Sequence, residues 1–175
     1  RVEHKEASSD PDTTPYLARP PCRYLAIVMI IICALSEFIL GAHPVTGWIA
    51  LAAMAAIFNL LNDWHVGRPL FSRLALMLYA SYWLMALGYG LLGAAYLGAP
   101  LLPSAGRHLL TVGAMTLSIF TIMSIVSRIH SGLWLDRRLW IPSAAALFVI
   151  AALIRAYAGF YSAATSFNQL LIVAG

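Results

Sequence analysis

Charge is what this sequence has least of. Asp, Glu, Lys and Arg make up 10% of the 175 residues, where a soluble domain carries roughly a quarter. So little charge cannot cover a water-facing surface of this size. Cysteine is nearly absent as well: Cys22 and Cys33 form neither a CxxC pair nor a disulfide framework, and Cys33 falls inside an apolar run, where a thiol serves as a small packing residue. There is no HExxH, no glycine-rich phosphate loop, no GxSxG and no carboxylate cluster, which excludes the common hydrolase and nucleotide-binding sites. No basic cluster with interleaved aromatics occurs in a polar segment, so the net charge of +4 does not point to nucleic acid.

Hydrophobic side chains are abundant, at 61% of the chain, and they occur in long runs rather than with the 3.6-residue alternation of a half-wet helix. A run of about 20 apolar residues is what a helix needs to cross ~30 Å of hydrocarbon. The expected fold is therefore all-α, a polytopic transmembrane helix bundle. Residues 1–23 are polar and proline-rich and read as a mobile N-terminal arm; residues 24–175 form the bundle. The first run has no small-residue cleavage site after it, so it reads as a retained span. Spans are expected at Tyr24–Gly41, Gly47–Trp64, Leu74–Leu97, His108–Ile129 and Leu139–Tyr161. Ser162–Gly175 begins a sixth run too short to cross, expected to be cut mid-helix or to lie in the interface. The opening residue is not Met, which leaves room for chain upstream. Short connections punctuated by Pro44, Pro69, Pro100 and Pro103 make successive spans antiparallel neighbours.

Nine of the eleven Lys and Arg residues fall on one side of this arrangement; only Arg107 and Arg155 fall on the other. By the positive-inside rule the arm is expected in the cytoplasm. His65 and His130 then belong to the cytoplasmic layer, and His43 and His108 to the outer one. His108 and His130 are 22 positions apart on one helix, ~33 Å, and cannot share a metal. A b-type haem needs two nitrogens facing each other across the iron, from His65 with His130 or from His43 with His108. The plainer reading is that interfacial histidines meet water and headgroups.

Arg128 either snorkels to the interface or meets an anion such as a haem propionate beside His130. Glu37 is the only acid well inside a span, and an intramembrane charge calls for a partner; Arg155, in the same layer, is the expected one, with a proton path as the alternative. Thr111, Ala114, Ser118 and Thr121 mark a small-residue packing stripe. Tyr82, Tyr89 and Tyr96, at seven-residue spacing with Tyr79 and Trp83 beside them, form a face that either walls a flat cofactor or meets core and lipid.

The run RHLLTVGAMTLSIFTIMSIVSRIHSG resembles the NnrS family of bacterial membrane proteins, whose later half carries a pattern of the form HALTVGA followed, after an MSR, by His-Thr-Gly. His108 to Ala114 match its first part and His130-Ser131-Gly132 its second. NDWHVGRPL around His65 is similar to the family's Trp-His-Gly segment, and ALIRAYA around Arg155 to one of its helices. The resemblance covers roughly residues 48–161. It implies an inner-membrane protein that binds haem b and possibly copper and acts in nitric oxide response or as a respiratory accessory, by ligand binding or electron transfer. By that resemblance His65, His108 and His130 become the metal-ligand candidates, with Arg128 beside them. Two features depart from the family: its His-Glu-Met-Leu-Phe-Gly signature is absent, and Leu133 stands where an Arg follows His-Thr-Gly. The chain has less than half the length of the family's usual twelve-span form. A site built from both halves would then need a homodimer or another membrane subunit. The alternatives are a cofactor-free structural subunit of a larger membrane complex and, third, a small transporter whose path passes Glu37 and Arg155.

Overall fold

A computed structural model describes residues 20–62, 73–132, 140–159 and residue 172. These residues form five helices in sequence: α1 (Pro20–Leu40), α2 (Pro44–Asn62), α3 (Arg73–Tyr96), α4 (Pro103–His130) and α5 (Trp140–Ala158). No strand occurs among the described residues. α2, α3, α4 and α5 are each long and apolar enough to cross a bilayer, and α1 carries the shorter apolar stretch Tyr24–Leu40. The chain is a multi-pass membrane protein.

The helix ends follow proline chemistry. Pro20, Pro44 and Pro103 are first residues of α1, α2 and α4, where a missing N–H costs nothing and the fixed φ already suits a helix. This moves all three starts from their expected places. α4 begins at Pro103 instead of His108, α2 at Pro44 instead of Gly47, and α1 at Pro20 instead of Tyr24, so the last residues expected in the N-terminal arm are helical. At the other end of α4, Gly132 takes a left-handed φ of 66° and Ser131 N–H bonds back to the Ser127 carbonyl, a common helix stop. The expected sixth run lies outside the described residues apart from Ile172.

The packing is inverted relative to a water-soluble bundle. Alanine dominates the buried positions, with Ala50, Ala53, Ala86, Ala105 and Ala152 all fully covered, whereas Phe38 is 89% and Ile39 74% exposed. With lipid as solvent there is no gain from hiding large apolar side chains, and association relies on close backbone approach between small residues. Two glycine pairs show how close that approach is. A Cβ on Gly93 would stand 2.9 Å from the Gly47 carbonyl oxygen, and one on Gly106 would stand 2.6 Å from that of Gly88. These contacts seat α3 against α2 on one side and α4 on the other. α5 packs on α4 and α3, and α1 packs on α2. The central position of α3 means that it carries residues of two of the sites below, the polar knot and the cavity.

Within α4 the helix changes character. Leu109–Met115 form a π-helical segment, in which the amide bonds reach back five residues instead of four. The Thr116 hydroxyl donates to the Thr111 carbonyl at 3.0 Å, and the Thr111 hydroxyl to the Arg107 carbonyl at 2.8 Å. One extra residue in a turn rotates everything beyond it by about 100°. The small-residue stripe of the sequence therefore does not hold one face: Ala114 and Thr121 are buried while Thr111 is exposed.

Candidate functional site

Antiparallel succession gives the bundle two polar ends joined by an apolar middle. The first end collects the termini of α1 and α3 with the start of α4. Glu37 sits one turn before the end of α1, Tyr96 closes α3, and Arg107 lies in the first turns of α4. Arg107 Nη2 donates to Glu37 Oε1 at 2.7 Å, the Tyr96 hydroxyl donates to the same oxygen at 2.7 Å, and Arg107 Nη2 also reaches the Tyr96 oxygen at 3.0 Å. Three helices are thus tied at one carboxylate. The Arg107 side chain is 58% exposed and that of Glu37 30%, and all three residues lie within two turns of a helix terminus.

This corrects the sequence expectation, which pairs Glu37 with Arg155. Arg155 lies within electrostatic reach of His108. The α3–α4 connection is short, and it delivers Arg107 directly beside Tyr96 and Glu37. Arg155 comes from α5, on the far side of α4. Tyr96 belongs to the knot, whereas its seven-residue spacing places it in the aromatic stripe; its position at a helix terminus, level with Glu37, is the signal that sets it apart.

His43 stands in the connection between α1 and α2, exposed, with its Nδ1 accepting the Val45 N–H at 3.2 Å. His108 is half-buried next to Arg107. The same end therefore holds two histidines, two arginines and one acid.

The second end is differently furnished. Arg128 and His130 lie in the last turn of α4, Arg128 half-buried and His130 exposed. Two positions apart on a helix, they project about 200° from each other, so a molecule that touches both must lie across the helix end where Gly132 turns the chain. α2 finishes at this end too, at Asn62. His65 lies beyond it, outside the described residues. His108 and His130 fall at opposite ends of α4, as the spacing requires. Among the described residues no three His, Cys, Asp or Glu side chains gather around a point that could hold a metal ion. For haem, the described residues supply one imidazole and one guanidinium at the second end and do not by themselves complete an axial pair.

Between the ends, the aromatic stripe of α3 divides by role. Trp83 stacks edge-on against Phe58 of α2 at 5.1 Å and against Tyr79 at 6.3 Å. Tyr82 and Tyr89 instead wall a cavity of about 430 Å³ in the seam between α3 and α4, with Ser81, Ala114, Met115 and Ser118 also lining it. The π-helical segment contributes part of this wall. None of the described histidines lines it.

A family model described as NnrS protein matches residues 5–175, essentially the whole chain. No curated protein and no solved structure matches it.

Proposed function

We propose, from the premise that this chain belongs to the NnrS family, that it is an integral membrane haem protein whose haem b is held at the end of the bundle carrying His130. Membership supports a membrane protein related to the nitric oxide response; the cofactor and its site are the proposal. The supporting observation is the convergence of chemistry at one end. His130 and Arg128 share the last turn of α4, and α2 runs out at the same end toward His65.

His130 and His65 would hold the iron, and Arg128 would neutralise a propionate. Bound iron of this kind supplies reversible binding of a diatomic ligand and one-electron transfer. The chain's own contribution is orientation: His130 is placed on a helix that α3 and α5 fix from two sides. The imidazole set suits copper as well as iron, which metal analysis separates. His108, at the opposite end, takes no part in this site.

The test is optical. The purified full chain should show Soret absorbance as isolated or after haem addition; His130→Ala and His65→Ala should each lose it, and His108→Ala should keep it. A wild-type protein with no Soret band under either condition overturns the proposal. That result would favour the second reading, a cofactor-free subunit of a larger membrane complex or homodimer, which draws support from the scatter of His43, His108 and His130 over both ends.

The localisation proposed is the bacterial inner membrane with the arm and the His130 end in the cytoplasm. Arg73 and Arg128 mark that end, along with the other seven basic residues assigned to it by the sequence. A cysteine introduced in place of Ala42 should react with a membrane-impermeant maleimide from outside intact cells; protection of that position until the cells are opened reverses the orientation.

A further inference from the structure

The seam between α3 and α4 is closed at Gly88 and Gly106 and open further along, and the opening has the form of a pit rather than a track. Its floor is made of short side chains, Ser81 at 4% exposure and Ala114 at 6%. Its rim is made of long ones, Met85 and Tyr82 on α3 with Met115 and Ile122 on α4. A surface that receives another helix needs small residues in a continuous line so that backbones can approach. Here large side chains close the line on both sides, leaving a cavity of about 430 Å³, within the usual range for a small-molecule site.

Access is from the bilayer. Met115 and Ile122 on the rim are 60% and 51% exposed, and both belong to a helix that crosses the membrane. An occupant must therefore be soluble in hydrocarbon. The walls favour a flat one: two phenol rings, Tyr82 and Tyr89, with two thioethers, Met85 and Met115, which make favourable contacts at ring edges. The hydroxyls of Ser81 and Ser118 are already donated to the carbonyls of Leu78 and Met115, so they offer a ligand only lone pairs. Tyr89 brings a phenol to the same wall. The Tyr89 ring is fixed from behind by packing on the Cys33, Ala50 and Ala53 cluster between α1 and α2.

We propose that this pit binds a quinone, a lipid-soluble planar ring whose carbonyl oxygen accepts a hydrogen bond from the Tyr89 hydroxyl. The ring lies between Tyr82 and Tyr89 over the Ala114–Ser118 floor, and its tail leaves past Ile122 into the bilayer. The site is argued without the haem proposal, since none of the described histidines lines it, and it stands or falls separately.

The experiment titrates a short-tailed benzoquinone, decyl-ubiquinone, into the detergent-solubilised full chain and follows quenching of tryptophan fluorescence, Trp83 being adjacent to Tyr82 in α3. Saturable quenching is expected. Ala114→Leu, which fills the floor, and Ser118→Leu, at a half-buried position that tolerates a larger side chain, should each weaken binding at least about tenfold. Tyr89→Phe should weaken it about fivefold, as loss of one hydrogen bond does. Decylbenzene, which has the ring and tail without carbonyls, should not compete. Absence of saturable quenching in the wild-type chain overturns the proposal, as does equal affinity in all three variants. Competition by decylbenzene would show a cleft for acyl chains and also overturn it. Cross-linking of two copies through cysteines placed at Met115 would assign the seam to a second copy, with the same consequence.

Discussion

The two ends of α4 carry similar side chains to different purposes. At its start, Arg107 is held in a network with Glu37 and Tyr96 that joins three helices. At its finish, Arg128 and His130 sit in the final turn of a helix that stops at a glycine. Both ends hold arginine and histidine, yet one arrangement serves cohesion and the other presents groups outward. A basic residue near a membrane surface therefore means little by type alone. What distinguishes the two is how far the group is drawn into contacts between helices: Arg107 is bonded to Glu37 and Tyr96, whereas His130 is exposed.

The contrast can be broken by substitution, beginning where damage should be greatest. Gly106→Val places carbon against the Gly88 carbonyl oxygen and the Leu92 N–H, and neither backbone atom can yield. Destabilisation of about 3 kcal/mol is expected, read as a large drop in unfolding temperature in detergent; an unchanged temperature would mean that the α3–α4 seam is looser than described. Glu37→Gln removes the charge but keeps an oxygen acceptor. With the arginine more than half exposed, the loss should be about 1 kcal/mol, and it should shrink in high salt. Tyr96→Phe should cost about 0.5–1 kcal/mol. Because both residues meet at one oxygen, the double variant Glu37→Gln/Tyr96→Phe should fall short of the sum of the singles; strict additivity would deny the network. At the other end, His130→Ala should change the unfolding temperature least, by under about 0.5 kcal/mol, while abolishing the Soret band. A His130→Ala protein that unfolds as readily as Gly106→Val would erase the distinction between the two ends.

Much of this architecture is legible in the sequence. Apolar runs of bilayer length and the prolines between them give five helices in the right order, and the HLLTVGA and HSG segments of α4 carry the family. The need of Glu37 for a cationic partner is legible too, because a lone carboxylate in a span is costly. The identity of that partner is not. Arg107 and Arg155 share a layer, and only the three-dimensional order of the helices decides between them. The π-helical segment is hidden as well: nothing in LLTVGAM breaks a helix, and the segment is seen only where α4 lies against α3 and α5. The tyrosine spacing of seven shows a common face on α3, but not that Tyr96 leaves it for Glu37 while Tyr82 and Tyr89 line a pit. The pairing of His65 with His130 rests on residues outside those described.

The knot at Glu37 also sets a timetable for synthesis. Its two partners lie 59 and 70 residues further along the chain. At roughly 5–20 residues per second, a ribosome needs several seconds after making Glu37 before Arg107 exists. For most of that interval α1 carries a carboxyl group that none of its final contacts can yet satisfy. A nascent chain halted between α3 and α4 would hold the tyrosine but lack the arginine, and α1 should be correspondingly easier to pull back out.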